Sequence, residues 1–234
     1  MKKIILQLTP PFLIEVFRKI KPLFKSDKTN HVNTIDNPSE QDLEVYWTDD
    51  MLKKLEYWGK GHVWNEIQCL MVNCKGKVLD IACGTGVNIK DLSLFPYLEV
   101  HGFDISDFFV KAAVKKGISP DFVKVQDATK TNYQDNEFDY SYSLGSLEHF
   151  TEEGIDLFLN EAARYTSQKS FHQIPVSTLG KNEGWIKRDT QSYFNNEVDW
   201  WLPKFQKHFS KVYVLPSGWR SEGFSEGKWF VCEK

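Results

Sequence analysis

Apolar positions along this chain change their rhythm near residue 77. Before it they recur at helical spacing; after it, short apolar runs alternate with amphipathic stretches. Phe12, Leu13, Val16, Phe17, Ile20, Leu23 and Phe24 share one helical face, with Arg18, Lys19 and Lys21 between them. Pro11 suits the first turn of that helix and Pro22 ends or kinks it. Residues 26–38 are polar and carry no period, so they read as a linker. Ser39–Trp47 and Asp50–Tyr57 predict two short helices, capped by Ser39 and by Thr48 or Asp49. Lys60–Val72 predicts a third. The joining segment, Tyr57-Trp58-Gly59-Lys60-Gly61-His62, is placed to act as a lid.

From Lys77 onward the alternation is that of a parallel sheet covered on both faces. Strands are predicted at Lys77–Ala82, Glu99–Phe103, Phe122–Val125, Asp139–Ser143 and Ser170–Pro175. Helices are predicted at Val87–Leu94, Phe108–Lys116 and Glu153–Tyr165. Tyr193, Phe194, Trp200, Trp201, Phe205 and Phe209 predict an aromatic helix. Two strands follow, Lys211–Leu215 and Lys228–Cys232, joined by a Gly-rich connection. The chain therefore divides into a basic arm and linker (1–38) and one α/β domain (39–234), with a helical cap at 39–75 and an insertion plus helix at 176–209.

Composition narrows the class of protein. At 41% hydrophobic and 26% charged, the 234 residues suit a soluble domain with a full core. The net charge of −3 gives no field to collect phosphates, so no nucleic-acid partner is expected. Charge is uneven, however. Residues 1–25 carry Lys2, Lys3, Arg18, Lys19, Lys21 and Lys25 against Glu15, which leaves −8 for the remainder. Such an arm suits either a peripheral membrane contact or docking on the domain or a partner. Cys69, Cys74, Cys83 and Cys232 form no C-x-x-C pair and no metal-ligand spacing, so reduced thiols and a cytoplasmic setting are expected. No apolar run approaches the ~20 residues of a membrane span, and Pro10 and Pro11 interrupt any signal-peptide core.

The chemistry begins at Val78-Leu79-Asp80-Ile81-Ala82-Cys83-Gly84-Thr85-Gly86-Val87-Asn88-Ile89. An apolar strand ends in an acid, turns on glycines and opens a helix, as cofactor loops at the carboxyl edge of a parallel sheet do. A dinucleotide loop needs a third glycine, where Asn88 and Ile89 stand instead. A phosphate-binding G-K-[ST] is absent too. With Asp80 beside the turn, the loop prefers a ligand with positive charge and no phosphate.

This stretch resembles the first motif of class I S-adenosylmethionine-dependent methyltransferases, apolar-Asp-x-x-x-Gly-x-Gly. Three more features fall in register over about residues 60–234. Gly102-Phe103-Asp104-Ile105-Ser106 ends the next strand in an acid 18 residues beyond Gly86. Val125-Gln126-Asp127-Ala128 ends the third strand in another. Phe138 to His149 resembles the fourth strand and its loop. Within the class, the N-terminal helices and Ser146-Leu147-Glu148-His149-Phe150 are most similar to the small-molecule, type 11 branch. The opening Leu8-Thr9-Pro10-Pro11-Phe12-Leu13 and the Trp58 segment resemble, more loosely, members found with surface-polysaccharide biosynthesis.

The resemblance implies a Rossmann-like, seven-stranded, mostly parallel sheet with an antiparallel terminal strand, helices on both faces and an N-terminal helical extension. It implies S-adenosylmethionine as cofactor and S-adenosylhomocysteine as product. Asp80 would face the methionine ammonium, Asp104 the ribose hydroxyls, and Asp127 the adenine amino group with Ala128 beside it. Ile105 would cover the adenine face. Ala82, Gly84, Gly86 and Asn88 would shape the loop, and Ser143, Leu144 and Trp58 the methionine end. Each has a plainer structural use: helix capping for Asp80, a turn for the glycines, core packing for Ile105 and Trp58.

The acceptor is expected to be a small or medium molecule, favoured as a sugar or polysaccharide precursor methylated on oxygen or nitrogen. A lipid or quinone-like acceptor at a membrane surface, or a non-catalytic cofactor-binding scaffold, are the rivals. His149 is the leading general base, since it follows the fourth strand and an ordinary pKa near ~6.5 suits the work; a helix-terminal role beside Glu148 is its alternative. Trp185, Trp200 and Trp201 offer an acceptor platform or core packing.

Overall fold

The computed structural model describes residues 33–34, 48–188 and 191–234. The amphipathic arm over 1–25 and the predicted helix Ser39–Trp47 lie outside them. Helix α1 (Asp49–Leu55) starts at Thr48, whose hydroxyl accepts from Met51 N at 3.2 Å. Such a cap stabilises by about 1 kcal/mol. Helix α2 runs Val63–Met71 and buries Val63, Trp64, Ile67 and Met71.

The strands β1 (Gly76–Ile81), β2 (Leu98–Asp104), β3 (Val123–Val125), β4 (Phe138–Leu144) and β5 (Thr166–Ser177) are parallel, with α3 (Val87–Leu92), α4 (Asp107–Lys115) and α5 (Glu152–Tyr165) between them. A short hairpin, β6 (Trp185–Arg188) and β7 (Gln191–Phe194), precedes α6 (Val198–Gln206). The chain ends in β8 (Lys211–Ser221) and β9 (Ser225–Glu233). The seven-stranded sheet runs β3-β2-β1-β4-β5-β9-β8, so the antiparallel β9 is inserted between β5 and β8.

Period-2 alternation sends β1 side chains to opposite faces. Val78 joins α2, α3 and α4 in one core; Leu79 and Ile81 join α5 and α6 in the other. Trp201, Phe205 and Phe230 fill the second core, with Phe205 and Phe230 stacked at 4.5 Å. Polar residues in the central strands satisfy one another: Ser141 Oγ meets Thr166 and Ser170 hydroxyls at 2.7 and 2.6 Å. His172 sits between the Ser170 and Ser143 hydroxyls at 2.8 Å each. This chain of bonds ties β4 to β5 directly beneath the turn after β4.

Three expectations change. Tyr193 and Phe194 belong to strand β7, and the aromatic helix starts only at Val198. The predicted Gly-rich connection is mostly strand. Gly227 sits at a bulge where a Cβ would lie 2.6 Å from Gln173 Nε2, so this glycine marks close approach. Strand β5 is twelve residues long and includes Pro175. Beyond Gln173 its partner β4 has ended, so one side needs no amide donor and proline is tolerated.

Candidate active site

The turn after β1 is built from left-handed backbone. Ala82, Gly84 and Gly86 have φ of +56°, +53° and +71°. An alanine there costs about 1–2 kcal/mol. It is held by Cys83 N donating to Phe103 O at 2.8 Å and Gly86 N to Cys83 O at 2.9 Å. The two glycines face different surroundings. A Cβ at Gly84 would meet only Leu55 Cδ1, at 3.5 Å. One at Gly86 would lie 2.2 Å from Ile118 Cδ1 and 3.3 Å from Ala113 Cβ. Gly84 opens on a cavity; Gly86 lets α3 pack against the end of α4.

That cavity, about 410 Å³, lies at the carboxyl ends of β1 to β5. Asp80, Ala82, Gly84, Asn88, Asp104, Ile105, Asp127 and Ala128 line one end. Asp80 is 3% exposed, and among the described residues its Oδ2 has no hydrogen-bond partner. Burial pushes its carboxyl well above the ordinary range, opposed by the Tyr142 hydroxyl and reinforced by the charge of Asp104. Asp104 is also pushed up by burial, against the pull of two backbone donors: its oxygens accept from Ser106 N and Gly84 N, both at 2.9 Å. One acid thus joins the glycine turn to the start of α4. Asp127 Oδ1 accepts from Thr129 N and Oγ1 at 2.8 Å. Ile105 is 47% exposed on the lip.

Thr85 Oγ1 and Asn88 Oδ1 are buried and unpartnered beside Asp80. An unmade hydrogen bond on a buried group costs roughly 1–3 kcal/mol. A ligand with donors relieves that cost, and an apolar one does not. The acids, the unpartnered oxygens and the bare Gly84 backbone fit a nucleoside carrying hydroxyls, an amino group and positive charge.

The other end is walled by Leu144, Gly145, Ser146, Glu148, His149, Gln173, Gln191 and three tryptophans, Trp58, Trp64 and Trp219. His149 lies on a 3₁₀ turn, Leu147–His149. Its Nδ1 is 2.8 Å from the Ser192 carbonyl. A carbonyl only accepts, so Nδ1 carries the proton and the lone pair of the neutral ring is on Nε2. Burial lowers its pKa to about 4, against the pull of that carbonyl. His149 is therefore neutral at pH 7, and more weakly basic than an ordinary histidine. Glu148 is 4% exposed, Oε2 has no partner, and burial raises its carboxyl to about 8.

Most of the residues singled out from sequence line this one cavity. Of the predicted cofactor residues, two do not: Gly86 faces Ile118, and the Ser143 hydroxyl is turned to His172. Trp185 and Trp201 are buried in the α5–α6 core, and Trp200 packs on Phe194 beneath Lys204. None of these three lines the cavity; Trp58, Trp64 and Trp219 do. Trp58 lies in the predicted lid, and Gly59 behind it has no room for a Cβ, which would meet the Trp64 indole. Trp219 had no sequence signal, since its stretch reads as a loop. Glu66 accepts from Ser217 Oγ, Gly218 N and Trp229 Nε1 at 2.7, 2.6 and 2.7 Å, holding the hairpin that carries Trp219 against α2. Thr85, Glu148 and Gln173 were also missed as site residues, because each is an ordinary polar residue until its burial is known.

Residues 78–169 match a family model described as a methyltransferase domain. No curated protein sequence matches the chain. Among solved structures, a Pyrococcus horikoshii OT3 protein is 19% identical, with 81% of this chain and 98% of that one covered and a TM-score of 0.57. Haemonchus contortus phosphoethanolamine N-methyltransferase 2, solved with phosphomonomethylethanolamine and S-adenosylhomocysteine, is 16% identical over 82% of this chain and 58% of its own, TM-score 0.63. Burkholderia thailandensis 1,6-didemethyltoxoflavin-N1-methyltransferase, with its acceptor and S-adenosylhomocysteine, is 13% identical over 87% and 94%, TM-score 0.63. Residues 78–169 thus carry a match to a methyltransferase domain, and the sheet order with its inserted antiparallel strand is the Rossmann-like methyltransferase fold. A methyltransferase domain makes the chain an enzyme that transfers methyl groups.

Proposed function

We propose that this chain methylates a small polar acceptor bound between Trp58, Glu148, Gln173 and Trp219, and that a sugar or sugar-like precursor suits this wall best. The observation that carries the reading is the pairing of aromatic faces with buried, unpartnered oxygens, Glu148 Oε2 and Gln173 Oε1, in one cavity. Indole rings pack on the apolar faces of a ring, while carboxyl and amide oxygens accept from its hydroxyl or amino groups. The small acceptors bound in the two methyltransferase structures agree with this scale. A link to surface polysaccharide rests on the looser sequence resemblance alone.

S-adenosylmethionine supplies an already activated methyl group for in-line displacement. The remaining work is done by side chains of this chain. Asp80 would face the ammonium end of the cofactor and Asp104 the ribose hydroxyls. Asp127 and Ala128 would flank the adenine, and Ile105 would cover its face. Ala82, Gly84 and Asn88 would let the ligand approach the turn, and Leu144 and Trp58 would border the methionine end. Gly86 and Ser143 support this arrangement from behind, through Ile118 and His172. Holding the two reactants in line supplies several kcal/mol. His149, neutral with its proton on Nδ1, would be the base for a hydroxyl proton, with less than the roughly 10²–10⁴-fold effect of a base tuned near pH 7, because burial weakens it.

Calorimetry with S-adenosylhomocysteine, followed by a methyl-transfer screen over nucleotide sugars, tests the reading. The protein should bind, Asp104→Ala should lose at least tenfold in affinity, and at least one sugar should be methylated. No binding by the unaltered protein, or equal binding by Asp104→Ala, sinks it.

A further inference from the structure

Glu148 brings a buried carboxyl to the cavity wall. It is 4% exposed, and its Oε2 is without a hydrogen-bond partner. Its Oε1 stands 3.8 Å from His149 Nε2. The same oxygen lies 3.5 Å from where a Cβ at Gly145 would be, and Trp58 Cη2 lies 3.3 Å from that point. Carboxyl and indole therefore meet over the bare backbone of Gly145, whose N–H donates to Gln173 O at 2.9 Å.

The charged groups around it are few. Among the described residues lining the cavity, the acids Asp80, Asp104, Asp127 and Glu148 stand with one lysine, Lys54. Of the elements packed on the 3₁₀ turn, β7 contributes Tyr193, whose phenol senses Glu148 and Arg188. Strand β5 contributes neutral His172, bonded to Ser143 and Ser170. Helix α5 turns Glu152 and Asp156 away to Lys204 and Lys207 at 2.7 Å.

We propose that Glu148 selects an acceptor bearing an amine, accepting a hydrogen bond from that amine and taking its proton before the methyl group arrives. This rests on the methyltransferase reading above and narrows its acceptor class. The proton moves from R–NH3+ to the Glu148 carboxylate, leaving R–NH2. The freed nitrogen pair bonds the methyl carbon as the carbon–sulfur bond breaks, and that pair goes to sulfur. The product is R–NH2+–CH3. The Trp58 ring stabilises the ammonium by cation–π contact on entry. Burial supports the assignment, because a carboxyl near 8 is matched to amine conjugate acids, whereas His149 near 4 is not.

The test uses the full chain saturated with S-adenosylhomocysteine. Calorimetry at pH 7 would compare D-glucosamine and 2-aminoethanol with N-acetyl-D-glucosamine and ethane-1,2-diol. The amines should bind at least tenfold tighter. They should release close to one proton, seen in buffers of different ionisation heat, because Glu148 enters protonated and is ionised by the ammonium. Glu148→Gln should lose both the preference and the proton, while Glu148→Asp retains part of each. Thermal stabilisation of the variants by S-adenosylhomocysteine checks that they fold. If the unaltered protein is not stabilised either, the methyltransferase reading fails. If it is stabilised, but amines bind no better than their counterparts or Glu148→Gln changes nothing, only the role of Glu148 is overturned.

Discussion

The two glycines of the first turn separate by experiment what their motif merges. Alanine at Gly86 takes on a left-handed residue, about 1–2 kcal/mol. It also sets a methyl 2.2 Å from Ile118 Cδ1 and 3.3 Å from Ala113 Cβ in a packed core. Ile118 is 6% exposed, so its side chain must find another rotamer among fixed neighbours. Overpacking of this kind costs about 1–3 kcal/mol. Gly86→Ala should therefore lose about 2–5 kcal/mol, or roughly 4–20 °C in melting temperature for a chain of this size. Alanine at Gly84 takes on the same backbone penalty, yet its methyl meets only Leu55 Cδ1 at 3.5 Å and projects into the cavity. It should lose about 1–2 kcal/mol in stability. Its affinity for S-adenosylhomocysteine should fall tenfold or more, since the methyl occupies space the ligand needs. Differential scanning calorimetry with and without S-adenosylhomocysteine reads both quantities on the same samples. Gly86→Ala melting no lower than Gly84→Ala would refute the packing account. Gly84→Ala binding within twofold of the unaltered protein would refute the account of the cavity.

Two further outcomes follow from side chains outside the motif. Glu66→Ala removes the acceptor for Ser217, Gly218 and Trp229 and should cost roughly 2–4 kcal/mol in urea unfolding; an unchanged midpoint would show that the hairpin holds itself. Burial lowers His172 to about 3. Because the folded pKa is depressed, the unfolded chain takes up the proton first as pH falls below about 6.5, and stability is lost down towards 3. Relative to His172→Gln, the unaltered protein should lose about 1.4 kcal/mol per pH unit between pH 6 and 4. Parallel stability curves for the two proteins would place that proton elsewhere.

Much of the fold was legible because its signals are local. The predicted strands Lys77–Ala82 and Asp139–Ser143, the Thr48 cap and the amphipathic helices each depend on neighbours within a few residues. The connection within the hairpin β8–β9 was read too long for a physical reason. Gly218 and Gly227 look like loop residues, whereas the close approach of Glu66 and Gln173 is what requires them. Tyr193 and Phe194 match a helical period by accident, and pairing with Trp185 and Ile186 decides for strand.

The amino-acid order by itself determined the strand–turn–helix and the acids at successive strand ends, since these need only chain-local geometry and the register of a parallel sheet; the class of enzyme came through the resemblance those motifs carry. Tertiary structure alone decided which polar groups lost their water. That is why Glu148, Gln173 and Thr85 entered the site, why Trp219 replaced Trp185, Trp200 and Trp201 on its wall, and why His149 became neutral. Desolvation is a property of everything packed around a residue, and the packing that buries these groups comes from segments far apart in the chain.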